Sequence, residues 1–158
     1  MSLEDVYQDL ILDHYKNPRH AGILINPDRK VDLVNPLCGD QLSLTVKFKG
    51  EVISEIAFTG QGCSISQAAA SIMTELMAGK EKNEALRLAN SFRQMIKSEV
   101  SGDELDELGD ALALEGVKKH SARIKCVLLA WDCIERALGP VEATVGSMRS
   151  ELDGTAGK

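Results

Sequence analysis

The chain carries four cysteines, at positions 38, 63, 126 and 133, and three of them sit in settings that suit a reactive or metal-binding sulfur. In Gly60-Gln61-Gly62-Cys63-Ser64-Ile65-Ser66-Gln67 the glycines permit close backbone approach and unusual dihedrals, so Cys63 stands at a corner. Ala68, Ala69, Ile72, Met73, Leu76 and Met77 follow at helical spacing. Ser64 with Gln67 three residues on has the form of a capping box, which predicts a helix starting at Ser64. Cys63 then lies just outside a helix N-terminus, where unpaired N–H groups and the macrodipole favour a thiolate. Cys38 belongs to Asn35-Pro36-Leu37-Cys38-Gly39-Asp40, a turn that also supplies a carboxylate. Cys126 falls in about the first turn of the final helix, beside Lys125. Both features again favour a thiolate.

These three cysteines stand near element termini and can therefore converge on one end of a domain, with Asp40 as a fourth donor. Three sulfurs and one oxygen suit tetrahedral zinc, with bonds of ~2.3 Å to sulfur and ~2.0–2.2 Å to oxygen. The spacing leaves a shared site and separate packed thiols both open, because the chain has no C-x-x-C pair. Cys133 is seven residues beyond Cys126 on one helix, displaced by ~10 Å along its axis. That is too far to share an ion, and Cys133 reads as a buried small hydrophobe.

The elements that must position these groups are readable in order. Ser2 and Asp5 can cap a first helix with Leu3, Val6, Tyr7, Leu10 and Ile11 on its apolar face, ended by Asn17-Pro18. His14 and His20 read as a solvated polar edge, with a partner-docking surface as the alternative. Residues 21–30 form a connector, and three short strands follow at about 30–34, 41–49 and 52–59. In the second, Leu42, Leu44, Val46 and Phe48 alternate with polar residues. Lys49-Gly50-Glu51 is a tight-turn signal joining the last two strands as a hairpin. The helix from Ser64 should stop at Gly79. A further helix over 83–98 presents Ala85, Leu88, Ala89, Phe92, Met95 and Ile96 inward. The acidic stretch from Ser101 to Glu115 reads as a loop with room for one short helix. The last helix, from Ser121 to Gly139-Pro140, buries Ile124, Val127, Leu128, Trp131, Ile134 and Leu138.

At 158 residues, with 44% hydrophobic and 27% charged residues, the composition is that of one ordinary globular domain. Residues 1–140 are expected to form it, and 141–158, without sustained periodicity, a flexible tail. The net charge of −6 and the lack of a basic stripe argue against nucleic acid as a partner. No apolar run has membrane-spanning length, and the first residues lack a signal-peptide layout. The expected compartment is the cytoplasm, where thiols stay reduced and four cysteines favour metal or sulfur chemistry over disulfides.

Taken together, Cys38-Gly39-Asp40, Gly60-x-Gly62-Cys63-Ser64-Ile65-Ser66 and Arg123-Ile124-Lys125-Cys126 closely resemble the three motifs of the IscU/SufU family of iron–sulfur assembly proteins. The resemblance covers about residues 3–139. In the IscU-type branch a histidine directly precedes the third cysteine. Lys125 at that position, and the extra acidic segment around 101–119, are similar to the SufU-type branch. The resemblance implies an α+β fold of the SufE/NifU-like kind, a small three-stranded antiparallel sheet packed against four to five helices. It implies zinc on Cys38, Asp40, Cys63 and Cys126. It also implies a pyridoxal-phosphate cysteine desulfurase as partner, Cys38 as acceptor of persulfide sulfur, and a cluster scaffold or apo-proteins downstream. Arg123 and Lys125 are candidates for docking the partner or tuning Cys126. The alternative function is a scaffold assembling a [2Fe–2S] cluster on the same cysteines. His120, out of step with the family's histidine, reads as a surface residue, with a ligand role through loop folding as the alternative.

Overall fold

The computed structural model describes residues 2–36, 39–97 and 106–139. Cys38, the first part of the acidic stretch, Pro140 and the expected tail at 141–158 lie outside them. Helix α1 (Leu3–Lys16) opens with the full capping box between Ser2 and Asp5 and ends at Asn17. Three antiparallel strands follow in the spatial order of the chain, β1 (Arg29–Asn35), β2 (Asp40–Lys49) and β3 (Val52–Gln61). Then come α2 (Ser64–Met77), α3 (Lys82–Lys97), a 3₁₀ segment (Asp106–Lys119) and α4 (Ser121–Leu138). The architecture is α+β, with three strands and five helices among the described residues.

The register explains where the core lies. Val31 pairs with Leu44, Leu33 with Leu42, Leu44 with Phe58 and Val46 with Ile56, so one face of the sheet is a continuous apolar surface. Helix α4 covers β1 and β2 on that face, and α2 covers β3. Helix α3 packs outside α4, with Phe92 stacked on Trp131 at 3.9 Å between ring centroids. All six residues expected on the inner face of α3 are buried.

Two expectations need correction. The acidic stretch is not a loop over 106–119: it is a 3₁₀ run, kinked at Gly109, that buries Leu108, Ala111, Ala113, Leu114 and Val117. It packs against α1, α2, α3 and α4 and completes the core. His14 is not solvated. Its side chain is wholly buried, because Ser71 of α2 and Asp110 of the 3₁₀ segment close over it. His20 is exposed, as expected, in a left-handed conformation.

Candidate metal centre

Strand alternation carries the first donor to its place. Asp40 continues the row Val46, Leu44, Leu42 by one step, so its side chain faces the helices. It is completely buried. Across the ladder Leu42 pairs with Gly60, and β3 ends one residue later, delivering Gly62 and Cys63 beside Asp40. Asp40 Oδ1 accepts the Cys63 N–H at 2.8 Å. Gly62 has φ +137, and a Cβ there would collide with Asp40 Oδ1, so both conformation and space require glycine.

Cys63 caps α2 itself. Its Sγ accepts the Ser66 N–H at 3.5 Å, and the Ser66 hydroxyl donates to the Cys63 carbonyl at 3.1 Å. The expected Ser64–Gln67 box gives way to this arrangement, one residue earlier, although the helix still starts at Ser64. Sulfur therefore accepts one orphan N–H, that of Ser66, at a helix start, where negative charge is stabilised.

Cys126 reaches the same point from the opposite side. It is buried, and sits in the second turn of α4 rather than the first, with Sγ 4.0 Å from the Ala122 carbonyl. The packing of α4 on β1 and β2 brings this turn over the end of the sheet. One ligand atom each from Asp40, Cys63 and Cys126 lies within 4.8 Å of the other two. The separation between Cys63 Sγ and Asp40 Oδ2 is 3.6 Å. Bonds of ~2.3 and ~2.1 Å at a tetrahedral angle place sulfur and oxygen roughly 3.6 Å apart, so the donor set fits zinc.

The remaining candidates fall into place around these three. Cys38 lies outside the described residues, but Asn35 and Asp40 pair directly, so the connection that carries it begins and ends at the site. Arg123 and Lys125 are exposed on the first turns of α4. His120 precedes that helix, exposed and without a side-chain cap bond. Cys133 is buried in the apolar core, as its spacing from Cys126 predicts.

A profile of the NifU-like N terminal domain matches residues 6–139. The chain belongs to the NifU-like (IscU/SufU) family. Within that family, the zinc-dependent sulfurtransferase SufU of Bacillus subtilis is 43% identical over 141 residues, 89% of this chain and 95% of that protein. The iron–sulfur cluster assembly scaffold protein IscU of Streptococcus pyogenes is 45% identical over 136 residues, 86% of this chain and 84% of its own. A solved structure from Fervidobacterium islandicum, provisionally described as a scaffold protein for the SUF system, superposes with a TM-score of 0.78 at 32% identity. It covers 87% of this chain and 100% of that one. The IscU/SufU match contains every cysteine singled out above.

One polar group escaped the sequence reading. His14 follows Tyr7, Leu10 and Ile11 at helical spacing, which places it on the inward face of α1. That periodicity was the available signal, and the charged neighbours of His14 masked it.

Proposed function

We propose that this protein is a zinc-dependent sulfur acceptor in iron–sulfur cluster assembly, receiving sulfur on Cys38 from a pyridoxal-phosphate cysteine desulfurase. The observation that carries the reading is the gathering of Asp40, Cys63 and Cys126 at one end of the sheet, next to the connection bearing Cys38. The name and the 43% identity of the Bacillus subtilis relative support it.

In this reading Cys38, Asp40, Cys63 and Cys126 hold the ion. Zinc has no redox chemistry, so it keeps thiolates together without reducing a persulfide. The protein's own residues divide the work. Asp40, Cys63 and Cys126 are fixed by a strand, a helix cap and a helix turn, and stay in place. Cys38, between Pro36 and Gly39 in the sequence, is the thiolate that meets the partner. It attacks the outer sulfur of the desulfurase persulfide: a new S–S bond forms on Cys38, the old S–S bond breaks, and the desulfurase thiolate leaves. No external oxidant or reductant is needed. Arg123 and Lys125, exposed on the first turns of α4, are placed to meet an acidic partner surface. Delivery then goes to a cluster scaffold or apo-protein. The assigned compartment is the cytoplasm. Among the described residues no helix is long and apolar enough to cross a membrane.

The test is desulfurase turnover with cysteine as substrate, run with wild-type protein and with Cys38→Ser, alongside zinc analysis of both. Wild type should stimulate turnover and Cys38→Ser should not. Stimulation by Cys38→Ser at the wild-type level would refute the acceptor role. The second reading, a [2Fe–2S] scaffold, is favoured by the 45% identity to the Streptococcus pyogenes protein named as one. Protein isolated without oxygen separates the two, being colourless with zinc and brown with a cluster.

A further inference from the structure

A second group of donors gathers farther along α2, around Ser71 and Glu75, and nothing in the sulfur chemistry uses it. His14 of α1 is wholly buried, while Glu75 of α2 and Asp110 of the 3₁₀ segment are about half exposed. The imidazole is fixed at one end: Nδ1 is 2.7 Å from Ser71 Oγ, which also accepts the Arg19 backbone N–H at 2.9 Å. At the other end Nε2 stands 3.5 Å from Asp110 Oδ2 and 3.7 Å from Glu75 Oε1. One ligand atom from each of the three residues lies within 4.8 Å of the other two.

We propose that His14, Glu75 and Asp110 form a second metal site, for a first-row divalent cation that favours nitrogen and oxygen donors. Distances and protons both argue for it. N–H···O hydrogen bonds peak near ~2.9–3.0 Å, so 3.5 and 3.7 Å are long for a proton alone to bridge. Donor atoms bound to one tetrahedral ion at ~2.0–2.2 Å stand roughly 3.3–3.6 Å apart, which is close to the spacing seen. Ser71 Oγ has a second lone pair for Nδ1–H, and metal-bound histidines are oriented by that kind of hydrogen bond on the far nitrogen. In that tautomer the Nε2 lone pair faces two carboxylates, and a metal ion between them takes the place that a proton on Nε2 holds in the other tautomer. The surrounding charge agrees. Asp13, Glu75 and Asp110 gather around a single guanidinium, that of Arg19, which pairs with Asp13 at 2.7 Å and lies 3.9 Å from Glu75 Oε2. Arg19 therefore occupies the second oxygen of Glu75 and leaves Oε1 to the imidazole. The donor set, one imidazole with two carboxylates and a solvent-facing side, suits Fe²⁺, Mn²⁺, Co²⁺ or Zn²⁺ rather than Cu⁺. Such an ion would tie the 3₁₀ segment to α1 and α2.

The probe is Co²⁺, titrated into full-length protein whose cysteine site is already loaded with zinc. One further equivalent should bind, giving visible ligand-field bands without thiolate-to-cobalt charge transfer. Substitution is best made at the exposed carboxylates, since changing the buried His14 would also disturb packing. Glu75→Gln and Asp110→Asn should each weaken cobalt binding by about tenfold or more. Glu55→Gln, whose carboxylate pairs with Lys47 on the sheet, should change it by less than about twofold. The proposal is overturned if no further equivalent binds, if the bands carry thiolate charge transfer, or if Glu75→Gln and Asp110→Asn bind as wild type does.

Discussion

Gly62 shows how the site constrains a single position. Its φ of +137 is one that side chains rarely adopt, and an added Cβ would meet Asp40 Oδ1, the atom that accepts the Cys63 N–H. Gly62→Ala therefore strains the corner and displaces the carboxylate together. Zinc retention against a competing chelator should fall by about tenfold or more in Gly62→Ala. Gly116→Ala, where nothing lies within 4 Å of the new carbon, should stay within about twofold of wild type. Equal retention by Gly62→Ala and wild type would remove Asp40 from the ligand set. At this scale the sequence was informative where chemistry and backbone demand coincide, as at Gly62-Cys63. It was less so for depth and partners. His14 is buried by residues 57 and 96 positions away, and no local window contains them.

At the scale of elements, the start of α2 serves two purposes in the proposed reading, since Cys63 is the N-cap and would also be a metal donor. Serine caps helices well and alanine poorly. In metal-free protein, Cys63→Ser should be more stable to urea than Cys63→Ala by about 1 kcal/mol, although both lose zinc. Equal stability would mean that the Ser66 N–H does not depend on the cap. The 3₁₀ segment teaches a different lesson. Leu108, Ala111, Leu114 and Val117 recur every third residue, the period of a 3₁₀ helix, and a 3.6-residue template finds no stripe there. Gly109, Gly116 and the acidic residues completed the appearance of a loop. The buried face of α3, by contrast, was legible residue by residue because its stripe has the α period, although the helix starts one residue earlier than expected, at Lys82. Leu114 is fully buried, so Leu114→Ala should cost about 2–5 kcal/mol in urea unfolding. A loss typical of a surface loop, below about 0.5 kcal/mol, would detach the segment from the core.

For the whole molecule, the proposed metal centre is a joint between layers. Its three described donors come from the start of β2, the start of α2 and the second turn of α4, so one ion would fasten the sheet to both helices that cover it. Without the ion, a fully buried carboxylate faces two sulfurs at the end of the core. Binding free energy at such a joint is folding free energy, because the donors are not assembled in the unfolded chain. With free zinc at about a hundred times Kd the linkage amounts to ~2.7 kcal/mol. In a chain of this size that corresponds to a Tm shift of roughly 5–10 °C. Chelation should lower Tm by that amount while the helical signal at room temperature persists, since the apolar core spans the rest of the sheet. The pH dependence has a definite sign. Zinc binds deprotonated thiols and carboxylate, so falling pH weakens it, and the gap in Tm between zinc-loaded and metal-free protein should narrow on acidification. Calorimetry of both forms across pH reads this directly. A Tm that chelation leaves unmoved, in protein shown to have carried zinc, would place the ion somewhere other than between the sheet and its helices.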